Sequence, residues 1–257
     1  MRIALCLEYD GSNFNGWQCQ PSQVRTVQGT IELALSKIAD SKIETICAGR
    51  TDKGVHALNQ IIHFDTMVER PDKAWVFGTN SYLPKDVVVK WSKRVNEDFH
   101  ARFSAISRHY RYYLHDHPIR PAVDRTYLGW NICPLDECSM HQAAQFLLGE
   151  HNFSSFRGSN CQSNSPFRQV FDVQVKRLGN QVVIDIIANA FLHHMVRNIV
   201  GVLIPIGEGK KPIQWAREVL EAEDRTSAGI TASPAGLYLI DVNYPDHLSP
   251  YGSSVVT

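Results

Sequence analysis

No apolar run in this sequence is long enough to cross a bilayer. The longest, Ile199 to Ile206, is broken by Gly201 and Pro205 and falls well short of the ~18 residues that a spanning helix needs. Charge of one sign is not in excess either, since 26 Lys and Arg stand against 26 Asp and Glu in 257 residues. That balance excludes a uniformly basic nucleic-acid coat. The six cysteines (Cys6, Cys19, Cys47, Cys133, Cys138 and Cys161) include no C-x-x-C pair, so a zinc knuckle is not expected and the thiols read as reduced. At the N-terminus Glu8 stands where a signal peptide needs its apolar region, with no small-residue cleavage site, and a cytoplasmic location is expected.

What is present is the composition of a folded chain, 44% hydrophobic and 20% charged, which excludes disorder and collagen-like repeats. Ile3 to Tyr9 alternates at period two and reads as a strand, whereas Val27, Ile31, Ala34, Leu35 and Ile38 recur at helical spacing. Strands are expected at Ile43–Cys47, Gln60–Phe64 and Asp86–Trp91, with a helix around Asp72 to Tyr82. The resulting order, β-α-β-β-α-β, is the ferredoxin-like pattern. The second half repeats it. Tyr110–His115, Phe171–Val175, Val182–Ile186 and Leu237–Ile240 read as strands, with a turn at Gly179-Asn180, and helices are expected at Leu135–Leu148, Phe191–Ile206 and Pro212–Leu220. The fold class is therefore α+β: two ferredoxin-like halves, 1–104 and 105–257, joined through a continuous mixed, mainly antiparallel sheet with a central cleft where a large ligand would lie. Joining the sheets would protect their edges.

Neutrality overall hides a local excess. From Lys90 to Arg120 there are seven Lys or Arg (Lys90, Lys93, Arg94, Arg102, Arg108, Arg111, Arg120) against three acids, interleaved with Trp91, Phe99, Phe103, Tyr110, Tyr112 and Tyr113. Cations among aromatics suit phosphate contacts and base stacking. The same pattern also fits an ordinary strand with charges outward and aromatics in the core.

The most unusual stretch is Ala48-Gly49-Arg50-Thr51-Asp52-Lys53-Gly54-Val55. One carboxylate stands between two cations that favour its ionised form, and the flanking glycines permit close approach of a ligand. Asp52 is thus a candidate nucleophile, although such a loop taken alone more often holds an Asp that caps the following turn and pairs locally with Arg50. His193 and His194, adjacent on an expected helix, should point about 100° apart and are poorly placed to chelate one ion. His109, His115 and His117 have no acid or Cys at ligand spacing, and no metal site is expected.

Beyond this loop, the chain resembles the tRNA pseudouridine synthase A family along nearly its whole length. The resemblance is carried by Tyr9-Asp10-Gly11-Ser12, Gly16-Trp17-Gln18, Thr26-Val27-Gln28-Gly29, Gly49-Arg50-Thr51-Asp52, His100-Ala101-Arg102-Phe103-Ser104-Ala105, Tyr110-Arg111-Tyr112, Phe153-Ser154-Ser155-Phe156, Cys161-Gln162-Ser163 and His194-Met195-Val196-Arg197-Asn198. It implies isomerisation of uridine to pseudouridine in the anticodon stem-loop of tRNA, at uridines 38, 39 and 40, without cofactor, by a homodimer. It also implies Asp52 as nucleophile, Arg50 in extrusion of the target nucleotide, Tyr110 in contact with the flipped base and Arg197 as partner of the catalytic carboxylate. Arg102, Arg111 and Lys53 are candidate RNA contacts. Two departures are Lys53, where many relatives carry Ala, and Ser233-Pro234, where Pro-Pro is common. A non-catalytic RNA-binding module and a metal-dependent hydrolase are the competing classes.

Overall fold

The computed structural model describes residues 1–22, 24–159 and 161–251. The chain divides into two compact units, Met1–Arg108 with Leu239–Thr257, and His109–Tyr238. The fold is α+β and the strand pairing is mainly antiparallel. No helix among the described residues is long and apolar enough to cross a membrane.

In the first unit the element order is β1 (Arg2–Tyr9), α1 (Val27–Ala39), β2 (Ile46–Cys47), β3 (His56–Asp65), α2 (Thr79–Tyr82) and β4 (Val87–Val95). β1 lies between β3 and β4, antiparallel to both, and β2 pairs with β3. α1 starts where Thr26 accepts a hydrogen bond from the Gly29 N–H, and it buries the stripe Val27, Ile31, Ala34 and Leu35 that its periodicity announced. The expected strand Ile43–Cys47 shrinks to two residues for a local reason. The Ile43 and Thr45 N–H groups donate to Ser36 Oγ and Glu32 Oε1 of α1, at 2.9 and 2.7 Å, and so leave the ladder. The helix expected from Asp72 is a π-helical turn, Ala74–Gly78, running into the single turn of α2.

The second unit holds most of β5 (Ser107–Asp116), then β6 (Gly129–Asn131), α3 (Glu137–Ala144), β7 (Gly149–Asn152), β8 (Phe167–Leu178), β9 (Gln181–Ala188), α4 (Met195–Gly207) and α5 (Trp215–Ala222). β10 (Leu237–Asn243) begins in this unit and continues into the first. Within the unit the strand order is β5-β9-β8-β7, with β6 parallel to β5. β8 and β9 form the hairpin expected at Gly179-Asn180, pairing Leu178 with Gln181. α3 begins later than its sequence periodicity suggested, because Asp136 accepts from the Cys138 N–H and caps it there. α4 is buried nearly all round and lies so close to the 229–232 segment that a Cβ on Gly201 would stand 1.7 Å from the Ile230 carbonyl oxygen. Only glycine fits there.

Candidate active site

The Gly49–Gly54 loop hangs between β2 and β3, and its neighbours in the first unit fix it from three sides. From β3, the amide of the fully buried Gln60 spans Gly49. Its Nε2 donates to the Gly49 carbonyl at 2.5 Å and its Oε1 accepts from the Gly49 N–H at 3.4 Å. From β1, the Tyr9 hydroxyl lies 2.8 Å from Thr51 Oγ1, both buried. From the 14–18 segment, the Trp17 N–H donates to the Thr51 carbonyl at 2.9 Å. Gly16 makes that approach possible: its φ of 87° is left-handed, and a Cβ there would meet the Thr51 oxygen at 2.9 Å.

Between these anchors Arg50 and Lys53 are exposed and Asp52 is half-buried. The turn that follows Asp52 is closed by main chain, Val55 N–H to Asp52 C=O at 3.1 Å. Beneath the loop, burial pushes the Cys47 thiol up to about 12, against the pull of Arg50 and Arg102, so this cysteine is an inert core residue.

Arg108 departs from the sequence reading, which counted it in the basic face. It is 6% exposed, and its guanidinium donates to the carbonyls of Ala48 (3.3 and 3.0 Å), Ala105 (3.0 Å) and Arg102. It thereby ties the base of the Asp52 loop to the segment that carries Arg102, which is itself exposed. Charge counting could not distinguish Arg108 from Arg102. The missing information is that both faces of the strand are covered where β5 opens, so that the adjacent Ser107 and Arg108, on opposite faces, are both buried.

In the second unit Tyr110 is 7% exposed, its ring edge-on to Phe191 with centroids 5.0 Å apart. Next to it on β5, Tyr112 is buried and donates to the Ser233 carbonyl at 2.9 Å. Arg197 is half-buried on the first turns of α4, where its Nε donates to the Ala232 carbonyl at 2.8 Å and its own carbonyl accepts from the Ala232 N–H at 3.1 Å. The neighbouring Asn198 is fully buried, donates to the Phe156 carbonyl at 2.8 Å and accepts from Thr231 and Arg225. Sequence reading missed Asn198, Gln60 and Tyr9 as supports. Asn198 carried a faint signal, a polar residue beside the apolar Ile199-Val200, whereas Tyr9 and Gln60, next to Glu8, Asp10 and Asn59, carried none.

Arg111 is engaged by a buried carboxylate. Its Nε donates to Asp185 Oδ1 at 2.7 Å, the His109 Nε2 lies 2.6 Å from the same oxygen, and Lys176 stands 3.6 Å from Oδ2. Burial raises the Asp185 carboxyl, but the hydrogen bonds from His109 and Arg111 outweigh it and hold the group below the usual carboxylate range. His193 and His194 also differ from expectation. The helix starts only at Met195, His194 adopts a left-handed φ of 62°, and the two rings stack with centroids 3.8 Å apart instead of diverging.

The sequence profile of the tRNA pseudouridine synthase family matches residues 5–104 and 143–245. A tRNA pseudouridine synthase A of Coxiella burnetii (strain Dugway 5J108-111) is 55% identical over 244 residues, covering 95% of this chain and 93% of that protein. A tRNA pseudouridine synthase A of Legionella pneumophila (strain Lens) is 55% identical over 245 residues, with the same coverage. The motifs from Tyr9 to Asn198 that carry the resemblance lie within or between the two matched stretches. The chain belongs to the tRNA pseudouridine synthase family, isomerases that act on tRNA.

Proposed function

We propose that this chain isomerises uridines 38, 39 and 40 in the anticodon stem-loop of tRNA, with Asp52 as the nucleophile, as a cytoplasmic homodimer that needs no cofactor. The observation that carries the reading is the Gly49–Gly54 loop. Two sets of bonds hold its backbone and a third holds the Thr51 side chain, yet the Arg50 and Lys53 side chains are exposed on either side of Asp52. A nucleophile gains from such fixing, because pre-set geometry lowers the entropic part of the barrier.

The chemistry breaks the bond between C1′ and N1, turns the uracil and rejoins it through C5, so the uracil must stay bound while detached. The target must first leave its stack, at a cost of a few kcal/mol. Arg50 offsets part of that by entering the vacated space and contacting phosphate. Tyr110 supplies a flat aromatic face for the flipped uracil, worth ~1–3 kcal/mol. Arg197 favours the ionised form of the Asp52 carboxylate once RNA excludes water. In this reading the half 1–104 carries the nucleophile and the half 105–257 supplies Tyr110 and Arg197. Arg102 and Lys53 contact phosphates directly, while Arg111 acts through the positive charge gathered around Asp185.

The test is tritium release from tRNA labelled at uridine C5, without added metal. The wild type should release tritium, and Asp52→Asn should bind the same tRNA while releasing none. Full release by Asp52→Asn would reject the nucleophile assignment. A binding module would release nothing in either form, and a metal-dependent hydrolase would be silenced by chelator.

A further inference from the structure

Of the six aromatic residues interleaved with the cations of the 90–120 stretch, five are packed away. Phe99 lies against Tyr244, Tyr110 against Phe191, Trp91 against Tyr251 and Tyr113 against Tyr238, while Tyr112 is buried with its hydroxyl on Ser233. Phe103 alone is exposed, at 76%. Its ring is nevertheless held, stacked on the His100 imidazole with centroids 4.3 Å apart and planes 28° from parallel.

His100 is in turn fixed by its own turn. Its Nδ1 accepts from the Arg102 and Phe103 N–H groups at 3.2 and 3.1 Å, and its N–H donates to Ser104 Oγ at 2.9 Å. Nδ1 is therefore an acceptor, the imidazole is the neutral tautomer protonated on Nε2, and its face rather than a charge supports the phenyl ring. The Arg102 guanidinium carbon lies 5.5 Å from the Phe103 ring centroid. The Arg102 carbonyl is one of the oxygens that Arg108 links to Ala48, at the base of the Asp52 loop. An ordered, solvent-facing aromatic ring beside a cation, tied to the nucleophile loop, has the make-up of a site that stacks one base and holds its phosphate.

We propose that Phe103, backed by His100 and flanked by Arg102, is a stacking platform for an unpaired tRNA nucleotide other than the one that reacts. This platform rests on the reading of tRNA as the substrate. A nucleobase is favoured over an apolar protein partner by the Arg102 guanidinium beside the ring, a cation suited to the phosphate that accompanies the base. Unpaired bases are also what proteins stack on aromatic side chains in folded RNA.

The experiment measures affinity for an unmodified tRNA transcript and for a blunt RNA duplex of matched phosphate number, using wild type, Phe103→Ser and Phe103→Tyr. Phe103→Ser should lose roughly tenfold in affinity for the transcript, within the ~5- to 150-fold range that one stacked base is worth. It should bind the duplex as the wild type does, and Phe103→Tyr should restore the transcript affinity. An unchanged transcript affinity, an equal loss on both RNAs, or failure of Tyr to rescue would each overturn the platform. A changed sedimentation coefficient with unchanged affinity would assign Phe103 to contact between copies, and overturn it too. Tritium release by the wild type on the same transcript separates the two readings. Release without a Phe103 effect removes only the platform, and no release removes the proposed reaction.

Discussion

The Tyr9 phenol donates to Thr51 Oγ1 rather than accepting from it, and Gln60 dictates the direction. Gln60 Oε1 must face the Gly49 N–H and its Nε2 the Gly49 carbonyl, so the remaining Nε2 proton points to Tyr9 Oη, 3.4 Å away. With that lone pair engaged, the phenol proton goes to Thr51 at 2.8 Å. Burial keeps the phenol protonated. The direction leaves the Thr51 hydroxyl proton free to be given onward, one residue before Asp52.

Tyr9→Phe breaks this chain without changing the volume of the core. Removing one buried hydroxyl leaves Gln60 and Thr51 short of a partner, at about 1–3 kcal/mol of stability. Because the Asp52 loop then loses one of its three anchors, kcat in the tritium assay should fall by more than KM rises. A fall in melting temperature alone, with kcat intact, would mean that Tyr9 serves the fold and not the loop.

The loop was legible in the sequence and its supports were not, for a physical reason. Glycines, two cations and one acid in eight residues are a departure from pattern, and departures are visible in one dimension. Gln60, by contrast, sits in a strand whose neighbours Ile61 and Ile62 are apolar, and nothing in the spacing says that its amide meets Gly49 instead of solvent. Element existence was also legible, since α1 keeps its expected stripe and β1 forms where it was expected, although Ile3 to Leu7 are all buried instead of alternating. Element ends were not, because they are set by single hydrogen bonds: Thr45 to Glu32 cuts β2 short, and Asp136 to Cys138 delays α3. Residues with a left-handed φ, such as His194, are hidden as well, because only a few per cent of non-glycine residues adopt it and a histidine does not by itself announce it.

Arg102 and Arg111 should separate under salt titration, although the sequence presented them as equals. Arg102 is exposed and its guanidinium rests over an exposed ring, whereas Arg111 gives its Nε to Asp185. Removing a cation that neutralises one phosphate lowers the slope of log affinity against log salt by about 0.7–0.9. Arg102→Ala should show that decrement. Arg111→Ala should show a smaller one, together with a loss of stability of about 1–3 kcal/mol from the partly uncovered Asp185 carboxylate. Filter binding of tRNA at several salt concentrations and urea unfolding of each variant check both. Equal slopes for the two variants would show that Asp185 does not withhold Arg111 from RNA.

Acid should destabilise the protein through His63 before most carboxylates titrate. The side chain is 2% exposed in β3, its Nδ1 accepts from the Ala101 N–H at 3.1 Å, and it faces Phe99 and His100 edge-on. Burial, with Arg2 and His100 adding to it and Asp65 opposing, brings its pKa down to about 4. The unfolded chain keeps the ordinary value near ~6.5. Between those values the unfolded state binds the extra proton, so the stability contributed by neutral His63 is whole above about pH 6.5 and is lost as pH falls toward 4. The loss amounts to about 2–3 kcal/mol at ~1.4 kcal/mol per unit. His63→Asn keeps an acceptor for the Ala101 N–H but cannot titrate. Urea unfolding at about pH 7 and about pH 4.5 should therefore show the wild type losing that much more stability than the variant. Parallel losses in the two proteins would mean that the imidazole gains its proton in the folded state as readily as in the unfolded one, with the buried face of β3 open to water.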